Sequence, residues 1–179
     1  MHIGLVYDLR DDYLVEGYSA LDVAEFDSPE TIAELEAALR RLGHRVTRVG
    51  HGRSLAARLV AGERFDLVFS IAEGLKGRSR EAQVPALCEL FAQPYGFSDP
   101  LTMAATLDKA VAKRIVRDQG IATAAFALIS YPQDAREVDL PFPLFVKPVA
   151  EGNGKGCANA SRVGDHAGLE TIAGHLIAE

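Results

Sequence analysis

The sequence predicts an α/β chain in two parts: a small parallel-sheet domain over residues 1–106 and an α+β unit over residues 107–179. Three observations predict it. In the first part, apolar runs of strand length alternate with helical patterns, which implies a parallel sheet covered on both faces. In the second, two strand-like runs flank a glycine-rich loop, Ala150–Gly156, as in an antiparallel hairpin. The composition, 48% apolar and 25% charged in 179 residues, suits a core that needs no disulfide or metal staple.

Each element has its own signal. His2 to Tyr7 reads as a buried first strand that delivers a polar loop carrying Asp8, Asp11 and Asp12. Ser28 caps a helix with Pro29 at its first position, where the missing N–H is least costly. Ile32, Leu35, Leu39 and Leu42 give that helix one apolar face, and Gly43 ends it. Arg45–Val49 is a second strand, Ser54–Ala61 a short helix and Phe65–Ile71 a third strand. The helix after it carries Val84, Leu87, Cys88 and Phe91, with Pro85 in its first turn. In the second part, Asp108–Gln119 is a helix with Val111, Ile115 and Val116 inward, stopped by Gly120. Strands are then expected over Ala124–Ser130, Phe142–Val149 and Cys157–Val163, and one more helix from Gly164 onward.

Charge and composition exclude several classes. Acidic residues outnumber basic ones, 25 to 19, for a net charge of -6, so no basic face for nucleic acid is expected. Cys88 and Cys157 have neither disulfide-framework nor zinc-knuckle spacing, which fits a reduced cytoplasmic setting. The five histidines show no ligand spacing, and no metal site is expected on them. No apolar run approaches the ~20 residues of a membrane span. The N-terminus lacks the cationic region and cleavage site of a signal peptide.

The most informative stretch is Glu151-Gly152-Asn153-Gly154-Lys155-Gly156. Three glycines in five residues free the backbone to turn N–H groups toward an anion, and Lys155 adds charge. It is neither a Walker A loop, since no Ser or Thr follows the lysine, nor a dinucleotide fingerprint, since no strand–turn–helix surrounds it. A flexible hairpin turn would use the same residues. Upstream, Pro143-Leu144-Phe145-Val146-Lys147-Pro148 places a lysine inside an apolar strand, where it needs an anion or a carboxylate. Asp108-Lys109 opens the preceding helix. Lys109, Lys147 and the loop together suggest a polyphosphate clamp, although each alone reads as ordinary structure.

These pieces carry a resemblance. Pro94-Tyr95-Gly96-Phe97-Ser98, Leu107-Asp108-Lys109, Gly120-Ile121-Ala122-Thr123 and Pro143 to Lys155, in this order, resemble the D-alanine–D-alanine ligase family of ATP-grasp enzymes across nearly the whole chain. The resemblance implies a pre-ATP-grasp, substrate-side domain over 1–106 and the small lid subdomain of the ATP-grasp fold, incomplete, over 107–179. It implies that Lys109 and Lys147 contact ATP phosphates and that the loop (Glu151, Gly152, Asn153, Gly154, Lys155, Gly156) closes over them. Asn153-Gly154 stands where the family usually has paired serines. The implied activity is an ATP-dependent ligation of small amino acids through an acyl phosphate, serving peptidoglycan biosynthesis in the cytoplasm and allowing a homodimer.

The substrate side departs from the family pattern. Glu25 is the nearest match to the glutamate that holds the first substrate's amino group; a solvated loop glutamate is the competing reading. Where the family has Leu-His-Gly and then Gly-Glu-Asp-Gly, this chain has Ile71-Ala72-Glu73-Gly74 and Arg80-Glu81-Ala82-Gln83. Glu73, Arg78 and Arg80 lie beyond the C-terminal end of a parallel strand, where α/β sheets place ligands. Family members are longer, and the resemblance puts their Mg²⁺ ligands in a C-terminal part beyond this chain. The 179 residues then read as an N-terminal portion, inactive alone. The alternative is a non-catalytic nucleotide- or partner-binding module. A phosphoreceiver is one version, but Ser70-Ile71-Ala72 offers no acceptor aspartate at the end of the third strand.

Overall fold

The structure, a computed structural model, describes residues 1–152 and 154–178. It divides into two compact units, Met1–Ala105 and Thr106–Glu179.

In the first unit, β1 (His2–Val6) lies between β2 (Arg45–Gly50) and β3 (Leu67–Ser70) in a parallel sheet of order β2-β1-β3. Ile3 pairs with both Val46 and Leu67, which sets the register. The central strand is buried on both faces. Leu5 packs with Ile32 of α2 (Pro29–Arg41), whereas Val6 packs with Leu55 and Leu59 of α3 (Gly52–Val60) and with Val84 and Cys88 of α4 (Gln83–Leu90). α2 begins as the sequence predicts, with the Ser28 side chain accepting from the Thr31 N–H. α3 uses a less common cap: His51 Nδ1 accepts from the Ser54 N–H at 3.1 Å. Outside β3, Val68 donates to the Pro94 carbonyl at 2.8 Å and accepts from the Gly96 N–H at 2.9 Å. The Gln93 amide completes this edge, accepting from Phe65 N and donating to the Phe65 carbonyl.

Two expectations fail here. Asp11 and Asp12 are not in a loop but on α1 (Arg10–Val15), where acidic residues in the first turn suit the positive helix end. Leu42 is 72% exposed, because α2 ends at Arg41 and leaves it on the cap.

α5 (Pro100–Leu107) leads into the second unit. There α6 (Lys109–Asp118) is followed by a 3-10 turn (Pro132–Glu137), the hairpin strands β4 (Leu144–Phe145) and β5 (Arg162–Val163), and α7 (His166–Ala178). β4 and β5 pair antiparallel, Leu144 with Val163, as the hairpin reading requires. Their core joins Ala135, Val138, Val163 and Leu169, with Ile129, Phe142, Leu144 and Ile172 around it.

The expected strands are much shorter than their apolar runs. Ala124–Ser130 forms no strand; Thr123, Phe126 and Ile129 alone are half-buried, a period of three where a half-buried strand needs two. Cys157–Val163 is strand only at its last two residues, since Asn159–Ser161 turns as a 3-10 helix. Ile115 is 51% exposed rather than inward, and Ala110 is the one residue of α6 counted as buried among the described residues.

Candidate functional site

In the first unit, β3 ends at Ser70, and the chain passes through Ile71–Gly74 at the C-terminal end of the parallel sheet. Gly74 adopts φ +72°, and a Cβ there would lie 2.8 Å from the Arg80 carbonyl oxygen. Only glycine lets these two segments approach so closely. The Gly74 N–H donates to Asp8 Oδ2 at 2.9 Å, and the Tyr13 hydroxyl donates to Asp8 Oδ1 at 2.7 Å. Asp8 is 3% exposed and both of its carboxylate oxygens are engaged, so it is a structural tie and not an accessible phosphate acceptor.

The loop so anchored assembles the charges that the sequence singles out. Arg80 Nη2 donates to Glu25 Oε2 at 2.7 Å, with side chains 4% and 3% exposed. Glu25 is therefore buried and ion-paired, which corrects the solvated-loop reading. Glu73 lies nearby, half-buried, with its carboxyl pushed up to about 7. Burial is the main cause; Glu81 and Glu25 add like-charge repulsion, and Arg80 partly offsets it. Arg78 is exposed.

Glu73 and Glu81 line a cavity of about 280 Å³ whose wall includes Tyr95, Phe97, Ser98 and Met103. Phe97 holds φ +73° and stands edge-on to Phe69 at 4.9 Å between ring centres. Sequence reasoning does not single out Glu81 or the Tyr95–Phe97 wall as site residues. Both adjoin signals it does use, Arg80 and the Pro94–Ser98 segment.

In the second unit, Asp108 caps α6, its Oδ1 accepting from the Val111 N–H at 2.8 Å. That cap fixes Lys109, whose N–H donates to the Val149 carbonyl at 2.9 Å and whose Nζ donates to the Glu151 carbonyl. Lys155 Nζ lies 3.1 Å from Glu151 Oε2, and the Lys155 N–H closes a turn onto the Gly152 carbonyl at 2.9 Å. Gly154 and Gly156 hold φ +77° and +72°. Lys109, Glu151, Gly152 and Lys155 thus meet around one loop, while Asn153 lies outside the described residues.

Lys147 corrects an expectation. It follows β4 and is exposed, because the alternation that half-buries Leu144 and Val146 turns Phe145 and Lys147 outward. Its charge needs no buried partner. It remains two residues from the Val149 carbonyl that Lys109 holds. Among the described residues there is no group of three or more His, Cys, Asp or Glu placed to hold a metal ion. No helix among them is long and apolar enough to cross a membrane.

No protein-family model matches the chain. The D-alanine–D-alanine ligase of Xanthomonas axonopodis pv. citri is 34% identical over 138 residues, covering 74% of this chain and 42% of that protein. An uncharacterized protein of Sinorhizobium fredii, y4sG, is 35% identical over 130 residues, covering 67% of this chain and 38% of that protein. Among solved structures, the D-alanine–D-alanine ligase from Bacillus anthracis matches with a TM-score of 0.68 at 20% identity, over 99% of this chain and 54% of that one. The same enzyme complexed with ATP matches at 0.63, with 18% identity, over 99% and 55%. The chain thus spans less than half the length of these curated relatives and about half that of the solved enzymes. In sequence and in its α/β fold, this chain is a relative of the D-alanine–D-alanine ligases, matching them over about half their length.

Proposed function

We propose that the chain is the N-terminal portion of an ATP-dependent carboxylate–amine ligase. On this reading the first unit is the substrate-side, pre-ATP-grasp domain and the second is the small lid subdomain of the ATP-grasp fold. The observation that carries it is the meeting of Lys109 with the glycine-rich loop at Val149 and Glu151, in a chain related to known ligases. The donor set suits a polyphosphate: the Lys109 ammonium from the start of α6, the Lys155 ammonium on a loop with two glycines at positive φ, and Lys147 beside it.

When bound, ATP would supply a phosphoryl group to the carboxylate of a first amino acid, releasing ADP. The amine of a second amino acid would then attack the acyl carbon, and phosphate would leave. In this scheme Lys109 and Lys147 hold phosphate charge, and the 151–156 loop keeps water from the transferred group. Glu25, Glu73 and Arg80 serve the amino-acid side. On this reading the ligation belongs to the full-length enzyme, and no step is assigned to a metal. A cytoplasmic role in cell-wall precursor synthesis, as a homodimer, completes the proposal.

Thermal unfolding with ATP tests the reading. Saturating nucleotide at ~100 times the dissociation constant stabilises a fold by about 2.7 kcal/mol, and roughly 2–4 °C accompanies each kcal/mol at this size. The expected result is a rise of several degrees in the wild type, a smaller one in Lys109→Ala and none in Lys147→Ala. Substitution of Glu73 should leave the shift intact. Equal shifts in the wild type and both lysine variants would eliminate the clamp.

A further inference from the structure

We propose that Glu151 is the internal counter-anion of the glycine-rich loop, holding Lys155 until a phosphate group displaces it. The inference rests on the nucleotide reading above and adds the control of that site. Glu151 engages two lysines through chemically different atoms. Its main-chain carbonyl accepts from Lys109 Nζ, and its carboxylate faces Lys155 Nζ at 3.1 Å. The two paired side chains are 17% (Lys155) and 30% (Glu151) exposed, so the attraction acts in a medium well below the dielectric of water.

The pairing follows from the loop's turn and not from a helix. The Lys155 N–H bonds the Gly152 carbonyl at 2.9 Å, which folds residue 155 back over residue 151. In this arrangement Lys155 already has an anion. An incoming phosphate must take the ammonium from the carboxylate and bear the repulsion of the carboxylate left behind. Glu151 therefore opposes nucleotide binding through its side chain while its backbone anchors Lys109. Those two roles separate cleanly on substitution. Glu151→Gln keeps the size of the side chain and the carbonyl contact to Lys109, and removes the charge.

The test uses the full 179-residue chain, with ATP titrated into the wild type, Glu151→Gln and Lys155→Gln by NMR. Lysine acetylation followed by mass spectrometry, without nucleotide, supplies a second readout. Glu151→Gln should bind ATP about fivefold more tightly, roughly 1 kcal/mol, and Lys155→Gln more weakly than the wild type. Lys155 should be acetylated several-fold faster in Glu151→Gln. ATP affinity that is equal or weaker in Glu151→Gln, in a chain whose wild type binds, would overturn the counter-anion role and leave the nucleotide reading standing. Unchanged acetylation of Lys155 would remove the pairing itself. Absence of ATP binding in all three forms would instead overturn the nucleotide reading, and the displacement with it.

Discussion

Two buried or half-buried glutamates in the first unit have opposite electrostatic histories. Glu25 has its charge matched by Arg80 inside the fold. Glu73 is half desolvated beside other carboxylates, and its carboxyl is raised from 4.5 to about 7. The linkage follows from the sign. A carboxyl whose folded value exceeds its unfolded one binds more protons in the folded chain. Its stabilisation is complete below about 4.5 and is lost as pH rises through about 7. Between about pH 5 and pH 8, the wild type should lose ~1 kcal/mol more unfolding free energy than Glu73→Gln, after allowance for solvent screening. Urea denaturation of both proteins at the two pH values checks this, and equal losses would count against it. Glu73 also lines the cavity with Glu81, whereas Glu25 is absent from that wall among the described residues.

At the scale of elements, Gly156 is a tightly constrained position of the glycine-rich loop. It holds φ +72°, and a Cβ there would lie 2.6 Å from Pro148 Cγ and 3.4 Å from Leu176 Cδ2. Gly156→Ala should destabilise the second unit by ~2 kcal/mol or more, combining left-handed strain with overpacking. Gly120→Ala, also at positive φ but with nothing within 4 Å of its Cβ, should pay only the strain. Urea midpoints of the two variants would separate the effects; equal losses would show that the ring of Pro148 gives way. The same loop shows what the sequence makes legible. The parallel sheet, the Ser28 cap and the hairpin are all readable, because each depends on local chemistry and period. The short β4 and β5, and the exposure of Lys147, are not. Apolar runs announce strand propensity, but ladder length is fixed by the partner, which sequence spacing does not reveal. The Glu25–Arg80 pair is likewise hidden, since 55 residues separate its members. The chemistry of Glu25, Glu73 and Arg80 was visible as charge beyond a strand, but the burial that sets their states was not.

Across the whole molecule, the two thiols report different depths. Cys88 is fully buried, and burial pushes its thiol up to about 11; Cys157 is partly exposed. A thiol reagent should modify Cys157 in the native chain and Cys88 only on unfolding, giving one adduct by intact mass without denaturant and two with it. Rapid double modification would mean that the core of the first unit opens readily. The sheet of that unit has a further consequence in its margins. β3 is flanked by Pro94–Gly96, which takes up the N–H and carbonyl of Val68, and Gln93 ties down the chain at Phe65. The other margin, β2, carries the exposed charges Arg45 and Arg48, with Arg48 held 2.7 Å from Glu36. A foreign strand meets an occupied rail on one side and a charged one on the other. The sheet is thereby guarded against templated growth, and crowding should drive this unit toward face-to-face encounters before strand-by-strand aggregation.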